Sequence, residues 1–133
     1  MMGLPVLKAF VLCDGITSSV GGTGQIDIRG AGLDQFRGAD VYPQKHSFWA
    51  YIELTDEKPE GILQLAIMRA DSGRRHYFRE IVVKTSDRLA GLRIGIRLFN
   101  LEFPTPGIYF VELWYDGSWI LDQRIEVLEF GGE

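Results

Sequence analysis

The sequence predicts an all-β fold, a two-layer antiparallel sandwich of about eight strands. Three observations carry this reading. Apolar residues recur at every second position in short runs such as Gln25-Ile26-Asp27-Ile28-Arg29, the period of a strand with one face buried. Clusters of Gly, Pro, Ser and Asp interrupt these runs at short intervals, and no segment shows the 3.6-residue period of an amphipathic helix. The segment from Pro104 to Leu121 opens on a rigid Pro-Thr-Pro-Gly turn and sets Asp116-Gly117 between two aromatic-rich runs, among the strongest short-range hairpin signals.

The first strand runs from Val6 to Cys13 and is rich in β-formers. Asp14 to Gly24 reads as a loop, because it carries four glycines with four Ser or Thr residues. The next strand, from Gln25, turns Ile26 and Ile28 to one face. Gly30 to Gln44 is irregular, with Leu33, Phe36 and Val41 anchoring it to the core and Pro43 ending it. In the strand His46 to Thr55, Phe48, Ala50, Ile52 and Leu54 form one face and Trp49, Tyr51 and Glu53 the other. Asp56 to Gly61 is a charged turn. Leu63, Leu65 and Ile67 then alternate with Gln64, Ala66 and Met68, and Asp71-Ser72-Gly73 turns the chain into a run from His76 to Lys84. Thr85 to Gly91 has room for a short helical turn. Leu92 to Phe99 points Ile94, Ile96 and Leu98 inward, and the last two strands occupy Ile108 to about Phe130 before a frayed Gly131-Gly132-Glu133 tail.

One conflict arises in the closing hairpin. A two-residue turn pairs Leu113 with Ile120 and Trp114 with Trp119, yet Ile125 and Val127 have the opposite parity from Ile120. A bulge near Leu121 to Gln123 reconciles them, since one extra residue flips the alternation. The expected core is Ile26, Ile28, Ile52, Leu65, Ile94, Ile96, Val111 and Leu113.

At 133 residues the chain is expected to form a single domain over residues 1–133, ordered from about residue 6 to 130, with a core that needs no disulfide or metal. A net charge of −4 argues against a nucleic-acid partner, and no run reaches the length of a transmembrane helix, so no membrane partner is expected. The apolar run Leu4 to Cys13 fails as a signal peptide: Pro5 and Lys8 interrupt it and no small-residue cleavage site follows. Cys13 is the only cysteine and cannot pair within the chain, which points to a reducing compartment, the cytoplasm.

Three segments resemble a known family: Ala9-Phe10-Val11-Leu12-Cys13-Asp14, Gly24-Gln25-Ile26-Asp27-Ile28, and Leu101 to Tyr109 running into Tyr115-Asp116-Gly117. The family is one of small bacterial proteins, stand-alone immunoglobulin-like β-sandwiches of unknown function. The resemblance spans most of the chain, is strongest after Leu92, and departs from about Asp71 to Leu89, where this sequence is unusually basic. It implies an immunoglobulin or fibronectin-III type of sandwich and brings no catalytic residue with it. Tyr109 is similar to the tyrosine corner of such sandwiches, whose phenol reaches back to the backbone of the preceding corner.

The residues offer little for catalysis, and no enzyme is expected. His46 and His76 are the only histidines, and Cys13 lies in an apolar strand where burial keeps a thiol inert. Gly21-Gly22-Thr23-Gly24 lacks the lysine and the following helix of a phosphate loop. Metal spacings are absent, and neither cofactor nor metal is expected.

Two features are less ordinary. Trp49, Tyr51, Trp114 and Trp119 would lie together if their strands share a sheet, either as packing, with Trp49 filling the core as in immunoglobulin domains, or as an exposed surface. From Arg69 to Arg97 there are eight basic residues against three acidic ones, opposite in sign to the rest of the chain. A charged edge that discourages aggregation accounts for this, and so does docking to an acidic surface. The candidate interaction surface is therefore Trp49, Tyr51, Trp114, Trp119, Arg69, Arg74, Arg75 and Arg79. The function expected from these residues is that of a protein-binding module that forms a homodimer. The alternative is a carbohydrate or small-ligand module using exposed aromatics.

Overall fold

The computed structural model describes residues 6–18, 26–36, 44–55, 60–84 and 92–128. Among these residues are ten strands and no helix: β1 Val6–Cys13, β2 Gly15–Ser18, β3 Ile26–Arg29, β4 Gln35–Phe36, β5 Gln44–Thr55, β6 Glu60–Arg69, β7 Arg75–Lys84, β8 Leu92–Phe103, β9 Gly107–Tyr115 and β10 Ser118–Val127. A three-stranded sheet has the order β1-β5-β8 and a five-stranded sheet the order β4-β10-β9-β6-β7, while β2 and β3 form a separate ribbon. Every pairing is antiparallel except that of β4 with β10.

The core lies between the two larger sheets. Phe48, Ala50, Ile52 and Leu54 of β5 and Ile96, Leu98 and Phe103 of β8 face Leu63, Leu65 and Ile67 of β6, Val111 and Leu113 of β9, and Ile125 and Val127 of β10. Each fully buried aliphatic side chain contributes about 1.5 to 3 kcal/mol relative to exposure. Leu33 and Phe36 anchor the irregular segment as the sequence predicts, while Val41, Thr85 to Gly91 and the tail lie outside the described residues.

Two predicted core residues are not there. Ile26 and Ile28 are half-buried in the β2–β3 ribbon, outside the core. Alternation correctly gives β3 one covered face, but which body covers it is a tertiary matter. The glycine-rich stretch read as a loop also contains β2, whose Gly-Ile-Thr-Ser holds a single large apolar side chain and so shows no alternation. Ile16 of β2 reaches the outer face of the three-stranded sheet: a Cβ on Gly95 would stand 3.2 Å from Ile16 Cδ1 and 3.6 Å from Trp49 Cε3. Gly95 thus permits this close approach. Trp49, in register with Arg97 and Cys13, lies half-buried on that outer face and does not fill the core.

The closing hairpin turns at Asp116 and Gly117, both at positive φ as a type I′ turn requires. Trp114 pairs with Trp119 as expected, and the bulge falls at Ile120, so that Leu121 takes the place opposite Leu113. Ile125 and Val127 thereby return to the core. A second irregularity extends β8 past Phe99: Asn100 adopts φ 56 and its N–H donates to Ser47 Oγ at 2.8 Å. Tyr109 is fully buried, and its hydroxyl donates to the Thr105 carbonyl at 2.7 Å. That is the tyrosine corner.

Candidate functional site: an outward sheet face and a basic pocket

The five-stranded sheet has an outward face that can be read row by row from its register. Ile62 pairs with Val82 at the edge nearest the Asp116-Gly117 turn. The next row is Trp119, Trp114, Gln64 and Glu80, followed by Asp122, Glu112, Ala66 and Phe78, and then Arg124, Phe110, Met68 and Arg75. Solvated sheet faces ordinarily alternate toward polar side chains. This one instead exposes Trp119 (52%), Val82 (56%), Phe78 (44%) and Ile62 (39%). The polar groups are ordered too. Gln64 donates to Glu80 at 2.9 Å, Arg124 pairs with Glu126 at 3.6 Å, and the Arg75 guanidinium lies 4.8 Å from the Phe78 ring centre. At the centre, Glu112 Oε1 and Trp114 Nε1 are buried without a hydrogen-bond partner.

The four aromatics singled out from the sequence do not form one platform. Trp114 and Trp119 are neighbours on this face, whereas Trp49 and Tyr51 belong to β5 of the other sheet. Tyr51 offers no open ring: it is 6% exposed and its hydroxyl donates to Glu53 at 3.1 Å, with burial and then that carboxylate raising its pKa. Strand alternation groups residues within a strand, but the allocation of strands to sheets is set by non-local pairing. Ile62, Phe78, Val82, Phe110 and Glu112 were not singled out. The available signal was apolar residues on both parities, as in Ile81-Val82-Val83, where one parity suffices for a core.

The arginines divide differently. Arg69, Arg74 and Arg75 line one pocket of about 640 Å³ at the β6–β7 turn, together with Asp71, Ser72, His76 and Pro104. Arg69 closes the turn through its backbone, donating from its N–H to the Arg74 carbonyl at 3.0 Å and accepting from Gly73 N–H at 2.9 Å, with Gly73 at φ +64. Its side chain is held by Asp71, Nε to Oδ1 at 2.8 Å. His76 is fixed by ring contacts to Phe103 and Tyr109, and its Nε2 is buried without a partner. Burial, and then the Arg69 charge, lower the His76 pKa. Arg79 stands apart, donating to the Arg97 carbonyl at 3.3 Å and so tying the edges of the two sheets together. Cys13 is buried, which raises its thiol pKa, and its Sγ lies 3.7 Å from the Trp49 carbonyl.

Two facing antiparallel sheets locked by a tyrosine corner define the class: the chain is an immunoglobulin-like β-sandwich. An immunoglobulin-like protein from Pseudomonas aeruginosa is similar in structure at 11% identity and a TM-score of 0.51, over 95% of this chain and 98% of that one. The chain belongs to a family of unknown function (DUF6941), whose model matches residues 8–128. A β-glucosidase from Listeria innocua is also similar over 92% of this chain, at 9% identity and a TM-score of 0.49, and the chain spans only 16% of that enzyme's length. No curated protein matches the chain. No helix among the described residues is long and apolar enough to cross a membrane.

Proposed function

We propose that this domain is a non-enzymatic protein-binding module whose partner is a second copy of the same chain, docked through the outward face of the five-stranded sheet. The exposed Trp119, Phe78, Val82 and Ile62 on this one face carry the reading, because large apolar side chains left uncovered among charges mark an interaction site. The order of charges favours self-association. Asp122 and Phe78 lie in one row, Arg124 and Arg75 in the next. A twofold axis across the strands between these rows would set Asp122 opposite Arg124 of the second copy, and Phe78 opposite its Arg75. The unpaired Glu112 oxygen and Trp114 indole N–H lie at the centre of the same contact.

The engagement of Asp71 by Arg69, which leaves the carboxylate in the pocket paired to an arginine and not to His76, supports the non-enzymatic reading. A reducing compartment, the cytoplasm, fits the buried lone thiol of Cys13.

Light scattering of the full chain from about 1 to about 100 μM should show a dimer that weakens with added salt. Trp119→Asp should yield a monomer. Phe99→Ser, at the exposed aromatic of the other sheet, should leave the dimer intact. A strict monomer at the highest concentration would overturn self-association. Saturable quenching of Trp119 fluorescence by an oligosaccharide would favour the small-ligand alternative.

A further inference from the structure

We propose that the pocket at the β6–β7 turn is a binding site for a small organic phosphate, beside the docking face and sharing only Arg75 with it. Arg69 and Arg74 bring two guanidinium groups to the pocket against one carboxylate, Asp71, a net positive charge that suits a phosphomonoester, while Arg75 lines it with its guanidinium turned over the Phe78 ring. Guanidinium forks match phosphate oxygens in pairs, which a cluster of lysines would not. Because Asp71 takes the Nε of Arg69, its carboxylate orients that side chain and leaves the terminal nitrogens for a ligand. No side-chain hydrogen bond or ion pair engages Arg74 among the described residues, and its backbone N–H donates to Ser72 Oγ at 3.2 Å. The Ser72 hydroxyl proton therefore remains able to donate to an anion.

Two observations show that the site asks for more than bare phosphate. Its volume of about 640 Å³ falls within the range of small-molecule pockets and far exceeds inorganic phosphate. Pro104 and His76 complete its lining, and neither brings a fixed charge. A charged end held by the arginines and a flat organic end against Pro104 and His76 describe the ligand. The pocket is built and not incidental: Gly73 at positive φ, the paired Arg69–Arg74 backbone contacts and the Phe103 and Tyr109 rings behind His76 all fix its walls.

The test is an amide and arginine side-chain NMR titration of the full chain with phenyl phosphate, inorganic phosphate and benzoate at low salt. Saturable shifts confined to residues 69–76 and to the amides flanking Pro104 are expected with phenyl phosphate, with weaker binding of the other two. Arg74→Gln, which alters an exposed side chain off the sheet face, should weaken phenyl phosphate about tenfold, the loss of one charge-assisted contact, at an unchanged melting temperature. Arg79→Gln, equal in charge change but outside the pocket, should bind as the unaltered chain does. The proposal is overturned by absence of saturation at about 10 mM phenyl phosphate. It is equally overturned if benzoate binds as tightly, or if the two arginine variants behave alike. None of these outcomes depends on oligomeric state, so failure here is distinguishable from failure of the docking face.

Discussion

Single side chains carry two testable consequences. Tyr109 is fully buried with its hydroxyl on the Thr105 carbonyl, so Tyr109→Phe leaves a buried acceptor unmatched and should cost about 1 to 3 kcal/mol. A lowered melting temperature with self-association unchanged is expected, and equal melting temperatures would refute the corner's role. The histidines act as a pair. Phe103 lies between His46 and His76, with ring centres 5.8 and 5.9 Å away, and burial lowers the pKa of both. His46 Nε2 is 2.8 Å from Gln44 Oε1, so that nitrogen carries the proton and donates to the amide oxygen. Below the unfolded value of about 6.5 the unfolded chain binds more protons than the folded one, so stability falls on acidification and levels off only once the folded histidines also protonate. Thermal melts between pH 7.5 and pH 5 should show that decline, and His76→Phe should flatten it.

At the scale of elements, the bulge at Ile120 makes the sharpest prediction. Ile120 is the extra residue, so deleting it joins Trp119 to Leu121 without altering any pairing beyond it. Deleting Gln123 also regularises the hairpin, but it puts Ile120 opposite Leu113, sends Leu121 outward and moves Asp122 into the half-buried place opposite Val111 that Gln123 holds. A carboxylate is costlier there than an amide. The first deletion should therefore melt close to the unaltered chain and the second lower. The need for this bulge was legible, because Ile120 and Ile125 could not otherwise share a face. Its exact position was not: one extra residue anywhere between the two restores parity equally well. β5, β6 and β9 could be read from their alternation, whereas β2, with a single large apolar side chain, and β4, of two residues, carry no period.

At the scale of the whole molecule, the sequence reading fails where pairing is non-local. Which strands share a sheet decides whether Trp49 joins Trp114 and Trp119, and no local pattern encodes that choice. The basic excess after Arg69 was visible as composition, but only the fold brings three of its arginines to one pocket and leaves Arg79 bridging the sheet edges. The apolar outward face was half-legible. Apolar residues of both parities signal more surface than one core can bury, without saying which face is left uncovered.

The short parallel contact between β4 and β10 also has a consequence in time. It joins Gln35 to Glu126 and Phe36 to Val127, 91 positions apart, and backbone contacts from Glu126 N–H to Asp34 and from Leu128 N–H to Phe36 extend it. The β6–β7 and β9–β10 hairpins can close locally within microseconds, but this seam waits for the largest loop closure in the described chain. Refolding should accordingly be slow for a domain of this size, on the order of milliseconds to seconds. Phe36→Ala should accelerate unfolding while leaving the refolding rate nearly unchanged, the signature of a contact made after the transition state. During synthesis β10 emerges after the other nine strands, so the seam can seal only at the end, and until then β9 presents an open edge beside the aromatics of its own sheet.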